Sequence, residues 1–202
     1  EGQGGLLDIA LDADFINNKI LFFSYSAGNL LGIGTEVSSA KLVNDELKEL
    51  KLLFKALPKS RGGRHFGSRL LLTNDNSLYI TLGDRGEMKR AQNINDHAGS
   101  LIRINKDGEI PKDNPFTKRS DAKAEIYTYG NRNIQGIALN PVTYDIWTVE
   151  HGPQGGDELN LMKPGINYGW PVITYGVNYG TGTQIGEGAH KDGMAQPAYH
   201  WV

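Results

Sequence analysis

One repeated pattern constrains this chain more than its composition does. Three stretches, beginning at Gly5, Gly67 and Gly136, each run from a glycine into a short apolar segment, a polar turn and a second apolar segment. They read GLLDIALDADFINNKILFFSYS, GSRLLLTNDNSLYITLGD and GIALNPVTYDIWTVEHG. β-Branched and aromatic residues on both sides of turn residues predict a β-hairpin in each. The starting glycines lie 62 and 69 residues apart. Between them come further strand-like pieces: Ser38 to Val43 with Leu47 to Phe54, and Leu101 to Asn105 turning at Lys106-Asp107-Gly108 towards Glu109. About four antiparallel strands per repeat is the simplest count, which is the signature of a β-propeller blade. A β-sandwich with coincidentally similar hairpins would need no repeat and would be complete at this length. A propeller has about four to eight blades, whereas this chain supplies about three and stops at Tyr199-His200-Trp201-Val202 in what reads as mid-strand. The expectation is therefore an all-β chain, with residues 1–202 one partial propeller whose C-terminal blades are absent.

Composition narrows the class of function. Lys and Arg number 21 against 23 Asp and Glu, and the resulting charge of −2 gives no long-range attraction to nucleic acid or an anionic membrane. No apolar run reaches the roughly 20 residues a spanning helix needs, and the chain opens at Glu1 with neither a start Met nor a signal peptide. The sequence predicts a soluble protein whose leader was removed or left out. The absence of Cys excludes disulfides, thiolate zinc sites and thiol nucleophiles. Gly numbers 26, which without collagen periodicity and beside many Asn and Asp points to tight turns.

The start of a hairpin's first strand and the end of its second lie together, so polar residues flanking both can meet. Gln3 and His65 stand two residues before a repeat glycine, and Arg132 and Asn133 stand slightly farther ahead of Gly136. Asp84 and His151-Gly152-Pro153 follow the corresponding second strands. If these strands are the innermost of their blades, all of these residues ring one face of the central axis, where propellers place their ligands. His65 and Asp84 across one hairpin would pair, leaving the second imidazole nitrogen a free base; a turn histidine capped by a turn aspartate is the plainer alternative. Arg132 and Asn133 offer donors for ligand oxygens, or Arg132 closes a blade. His97 reads as a structural turn residue. In HGPQGGDELN the Gly-Pro turn exposes carbonyls and Asp157 and Glu158 add hard oxygens that suit calcium, although the EF-hand spacing is missing and a solvated acidic turn fits equally.

Taken together, GGLLDIALDADF, HFGSRL, YITLGDRG, NDHAGSLIRIN, YGNRNIQGIALNP, EHGPQGGDELNL and NYGWPVITYG closely resemble the soluble aldose sugar dehydrogenases that use pyrroloquinoline quinone (PQQ), in the glucose/sorbosone dehydrogenase family. More distantly they resemble soluble quinoprotein glucose dehydrogenase. The match runs in unbroken order from Gln3 to about Gly176. The resemblance implies a six-bladed propeller of which this chain is roughly the first half to two thirds, and an enzyme oxidising aldose sugars at the anomeric hydroxyl. It implies that His65 is the general base, Asp84 its orienting carboxylate, and Gln3, Arg132, Asn133 and His151 neighbours of the quinone. It further implies that the carbonyls of Gly152 and Pro153 hold a cofactor-bridging calcium, and that Glu158 with the backbone of Tyr168 forms a second, structural calcium site. A bacterial periplasmic or secreted monomer is expected, with its electron acceptor open.

Two departures qualify that expectation. His151 stands where the glucose enzyme has Gln, and Ile134 replaces the Pro usual in the NRN turn, which should loosen the loop carrying Arg132 and Asn133 because Pro would fix φ there. The family's later Lys, Arg and Tyr contacts to the cofactor lie beyond Val202, so a chain ending there should bind the quinone poorly. Two readings from other classes compete. One is a non-catalytic binding propeller, which would usually have lost His65 or Arg132. The other is a calcium-dependent lactonase, which needs an axial cluster of acidic and amide side chains that the sequence does not display.

Overall fold

A computed structural model of the chain describes residues 2–202. These residues form three sheets of four antiparallel strands, each sheet ordered along the chain. The first contains β1 (Leu6–Leu11), β2 (Ile20–Asn29), β3 (Gly32–Val43) and β4 (Glu46–Lys55). The second contains β5 (Leu70–Leu72), β6 (Ser77–Thr81), β7 (Leu101–Asn105) and β8 (Ile126–Thr128). The third contains β9 (Ile134–Leu139), β10 (Ile146–Glu150), β11 (Asp157–Met162) and β12 (Tyr199–Trp201). Each meander is a propeller blade; β1 and β5 follow the repeat glycines Gly5 and Gly67, whereas Gly136 lies within β9. A short helix α1 (Phe15–Asn18) joins β1 to β2, and a 3₁₀ turn (Met88–Gln92) follows β6.

The blades pack face to face, and burial follows their order. Phe22, Val37 and Phe54 of the first blade meet Leu70, Leu78, Ile80 and Ile102 of the second in one apolar cluster. Tyr79 and Leu101 of the second meet Ile134, Ile146 and Met162 of the third in another. The middle blade is thus covered on both faces, which is why every residue of β6 is buried and SLYIT lacks polar alternation. The outermost strand of the first blade, ELKELKLLFK, is exposed along most of its length. Its repeated Lys and Glu suit a free edge, because charged side chains discourage pairing with another strand. At the β3–β4 turn, Asn44 and Asp45 both have positive φ, 50° and 63°, the backbone a two-residue hairpin needs and one these residues tolerate.

Arg69 ties the inner strands together. Its guanidinium donates to the Leu7 carbonyl on β1 and the Gln135 carbonyl on β9, while Asp8 accepts from the Leu70 amide. One element departs from the sequence reading. The turn at Lys106-Asp107-Gly108 forms and closes on a bond from the Asn105 amide to the Glu109 carbonyl, but the strand pairing with β7 is Ile126–Thr128, well beyond it. His97 is structural, as expected: its buried ring accepts from the Leu57 amide and bonds Glu125 at 2.8 Å.

Candidate active site

The segment carrying His65 is pressed against the end of β6 by two glycines. A Cβ at Gly67, φ +62°, would lie 2.7 Å from the Leu82 backbone, and one at Gly83 would lie 2.3 Å from the His65 carbonyl. Only backbone without a side chain allows this approach. It leaves His65 itself at φ +55°, a left-handed conformation uncommon outside glycine, and strain of this kind concentrates at functional sites. Gln3 holds the segment from the first blade, its Oε1 accepting from the His65 amide at 2.8 Å.

His65 Nδ1 lies 2.7 Å from Asp84 Oδ1. Asp84 is fully buried, and it also accepts from Gly86 N at 2.7 Å and Trp170 Nε1 at 2.8 Å. A carboxylate surrounded by donors takes the imidazole proton on Nδ1, which leaves the lone pair on Nε2. Among the described residues nothing bonds that nitrogen. The cleft beside it has two joined lobes. One, of about 220 Å³, is lined by Arg64, His65, Asp84, Arg132, Pro153, Trp170 and Tyr179 among others. The second, of about 430 Å³, takes in Gln3, Asn133, His151, Gly152 and Asp157 while sharing Arg64, His65, Arg132 and Tyr179.

Arg132 lies over the Trp170 ring, 5.5 Å from its centroid, and its Nη1 donates to the His151 carbonyl at 2.9 Å. Its backbone is stitched to neighbouring strands, because its carbonyl accepts from Asp84 N, its amide donates to Glu150, and Asn133 bridges Gly83. Other restraints act on the loop that Ile134 was expected to loosen. That residue is the fully buried start of β9, and packing together with cross-blade hydrogen bonds supplies the restraint that a Pro would otherwise give. Asn133 is also buried; its Oδ1 accepts from Gly67 N and Gln135 Nε2, so its amide nitrogen is the group left for the cleft. At the third blade, Gly152 and Pro153 are buried, yet among the described residues no donor reaches either carbonyl. Asp157 turns inward to accept from Gly152 N at 2.8 Å, and His151 Nδ1 stands 3.7 Å from it.

Two expected residues lie elsewhere. Tyr168 is buried in the core between the second and third blades, its hydroxyl bonded to Leu161 and Lys163. Glu158, the second residue of β11, lies directly opposite Glu150, and this pair was not expected from sequence. Burial, and then the neighbouring Glu158, push the Glu150 carboxyl up to about 8; burial likewise raises Glu158. Asn131 Nδ2 donates to Glu150 and Asn160 Nδ2 to Glu158, while Asn131 Oδ1, Asn160 Oδ1 and Thr148 Oγ1 are buried with no partner among the described residues. Sequence reading also missed Arg64, Trp170 and Tyr179. Arg64 adjoins the predicted base and could have been flagged, but Trp170 and Tyr179 come from the long connection to β12, and only folding brings them in.

The family model described as Glucose / Sorbosone dehydrogenase matches residues 1–202. Aldose sugar dehydrogenase YliI of Escherichia coli is 43% identical over 99% of this chain and 55% of its own length. Quinoprotein glucose dehydrogenase B of Acinetobacter calcoaceticus is 33% identical over 86% of the chain and 41% of its own length. The apo crystal structure of the soluble E. coli aldose sugar dehydrogenase superposes with a TM-score of 0.96 at 42% identity, covering 100% of this chain and 59% of that one. The PQQ-bound aldose sugar dehydrogenase of Streptomyces coelicolor does so with a TM-score of 0.81 at 28% identity, covering 100% and 55%. The chain spans about half the length of the curated relatives it matches. With a family model matched from end to end and the blades superposing on solved members, the chain belongs to the glucose/sorbosone dehydrogenase family.

Proposed function

We propose that this chain carries the general base and much of the cofactor wall of a PQQ-dependent dehydrogenase that oxidises aldoses at the anomeric hydroxyl to lactones. The observation that carries this reading is the free Nε2 of His65, opening onto a cleft beside Arg132 and the unengaged Gly152 and Pro153 carbonyls. Nε2 accepts the hydroxyl proton of the bound sugar. Asp84 holds the tautomer that makes this possible and stabilises the imidazolium that results, and Trp170 Nε1 holds Asp84. Bound PQQ supplies the two-electron acceptor for the hydride that leaves the same carbon. Arg132, Gln3, Asn133 and His151 line the side of the cleft facing it, and their donors and positive charge suit a quinone bearing carboxylates.

Calcium would be held by the Gly152 and Pro153 carbonyls, and its chemistry there is polarisation of a ligand oxygen as a Lewis acid. Two adjacent buried carbonyls without donors fit such a hard cation. Glu158 with the Tyr168 backbone is assigned a second, structural calcium. Supporting it are Glu150 facing Glu158 and the three oxygens nearby that have no partner among the described residues, since two opposed carboxyls in this setting are either kept protonated or ionised against a bound cation. The relatives being bacterial enzymes, a periplasmic or secreted location is assigned with the same reading.

The test is dye reduction driven by glucose in the full-length protein supplied with calcium and PQQ. His65→Ala should lower kcat by about 10² to 10⁴ while PQQ binding persists. Unchanged turnover in that variant refutes the assignment of the base. Lactone hydrolysis without dye reduction would replace the dehydrogenase reading with a lactonase, and PQQ-independent sugar binding alone would leave a binding propeller.

A further inference from the structure

Arg64 is a cationic cleft residue to which the proposed chemistry gives no role. It adjoins the base in sequence and lines both lobes of the cleft. Its side chain lies on Gly86, where a Cβ would come 2.6 Å from Arg64 Nε and 3.4 Å from Cζ. Its own carbonyl accepts from the buried Arg85 guanidinium, which anchors the backbone beneath it. The exposed side chain thus rests over a bare backbone turn, beside the carboxylate that orients His65.

Among the described residues Arg64 meets no anion; Arg69, Arg85 and Arg132 meet none either, but each gives its guanidinium to a backbone carbonyl. Arg90 meets Asp96 and Glu87, Arg103 meets Asp75 and Asp113, and Arg119 meets Asp121. Among the described residues no carboxylate or carbonyl takes the Arg64 guanidinium. The acids nearest along the cleft are committed elsewhere, Asp84 to three donors and Asp157 to Gly152 N. Arg132, the other cation of the cleft, is bound to the His151 carbonyl and stacked on Trp170, which places it on the wall bearing Gly152 and Pro153. Arg64 stands on the His65 side, where the sugar hydroxyl must come for its proton to be removed.

We propose that Arg64 reads the substrate, favouring aldoses that carry an oxyanion, a carboxylate or a phosphate, over neutral aldoses. This rests on the cleft's being the aldose site. A guanidinium fork pairs a carboxylate or phosphate with two parallel charge-assisted hydrogen bonds, whereas a neutral hydroxyl offers it a single weaker acceptor.

Calorimetric titration tests it, using full-length calcium- and PQQ-loaded protein with the cofactor kept reduced so that no turnover occurs. The ligands are D-glucose, D-glucuronate and D-glucose 6-phosphate. The wild type should bind at least one of the acidic sugars roughly 10-fold or more tighter than D-glucose, and the tighter one names the anion. Arg64→Ala should remove that preference while PQQ affinity, read by fluorescence titration, changes less than about 2-fold, and Arg64→Lys should restore part of the preference through charge without the fork. Equal affinity for neutral and acidic sugars in the wild type overturns the proposal. So does a tenfold loss of PQQ affinity in Arg64→Ala, which would give the residue to the cofactor. Failure of the aldose dehydrogenase reading shows separately, as absent dye reduction with every sugar in the wild type.

Discussion

The first blade and the two that follow divide the labour of the molecule. In the first, β2, β3 and β4 run 10, 12 and 10 residues and are joined by tight turns. In the others, β5, β8 and β12 have 3 residues each, and long connections leave the sheets after β7 and β11. Backbone in a ladder is satisfied and immobile; backbone in a connection can be aimed. The first blade accordingly gives the cleft only Gln3, which precedes its first strand, while Arg64 and His65 lie on the segment leaving it and the other cleft residues belong to the later blades or their loops. Its polar interior serves structure instead: Thr35 Oγ1 and Ser24 Oγ bond the backbone of the segment that follows His65. Long strands here are a buttress, and short strands are mounts for loops.

Perturbing the two regions should separate activity from stability. The largest effect belongs to the cleft: His65→Ala, with its loss of about 10² to 10⁴ in kcat, should leave the melting temperature of the full-length protein nearly unchanged. If Tm falls along with kcat, the residue is part of the buttress and the division fails. Phe22→Ala is the mirror experiment. Phe22 is 2% exposed in the cluster shared by the first two blades, and losing it should cost about 3–5 kcal/mol in chemical denaturation while kcat of the folded fraction is retained. A kcat loss in fully folded protein would show the buttress reaching into the chemistry.

The cation site proposed at Glu150 and Glu158 would refine the picture, because it would be a structural feature lodged in a blade that also lines the cleft. Chelation should destabilise the wild type by about 2.7 kcal/mol relative to calcium at a hundredfold excess over Kd, and much less in Glu158→Gln. Equal losses in the two proteins would remove Glu158 from the cation site. The smallest effect expected is for Trp170→Phe, which keeps the ring under Arg132 but deletes one donor to Asp84. A neutral-to-charged hydrogen bond of this kind is worth about 1.5–3 kcal/mol, so kcat should fall roughly 10-fold or more with KM little altered. A change confined to KM would mean that Trp170 contacts the sugar and does not act through Asp84.

Much of this was legible in the chain itself. The three hairpins, and the convergence of Gln3, His65, Asp84, Arg132, Asn133 and the Gly152-Pro153 turn at one end of them, follow from strand periodicity, which is local, and from the geometry of an antiparallel pair. The position of β8 was not legible. Its partner β7 is separated from it by a long connection, and IYT is too short to announce itself against the nearer Lys106-Asp107-Gly108 turn. For the same reason Glu150 and Glu158 could not be recognised as opposing carboxylates before the register of β10 and β11 was known, since a shift of one residue would have turned one of them to the other face.

The sequence by itself determined that the chain makes blades and which ends of those blades are polar, because alternation, turn residues and glycine act over a few neighbouring positions. Tertiary structure alone decided that Trp170 closes on Asp84 from 86 residues away, that Arg132 is held without a proline, and that Arg64 lines the cleft with no acid among the described residues paired to it. Contacts between distant segments depend on how the blades pack, and no local pattern in the chain encodes that.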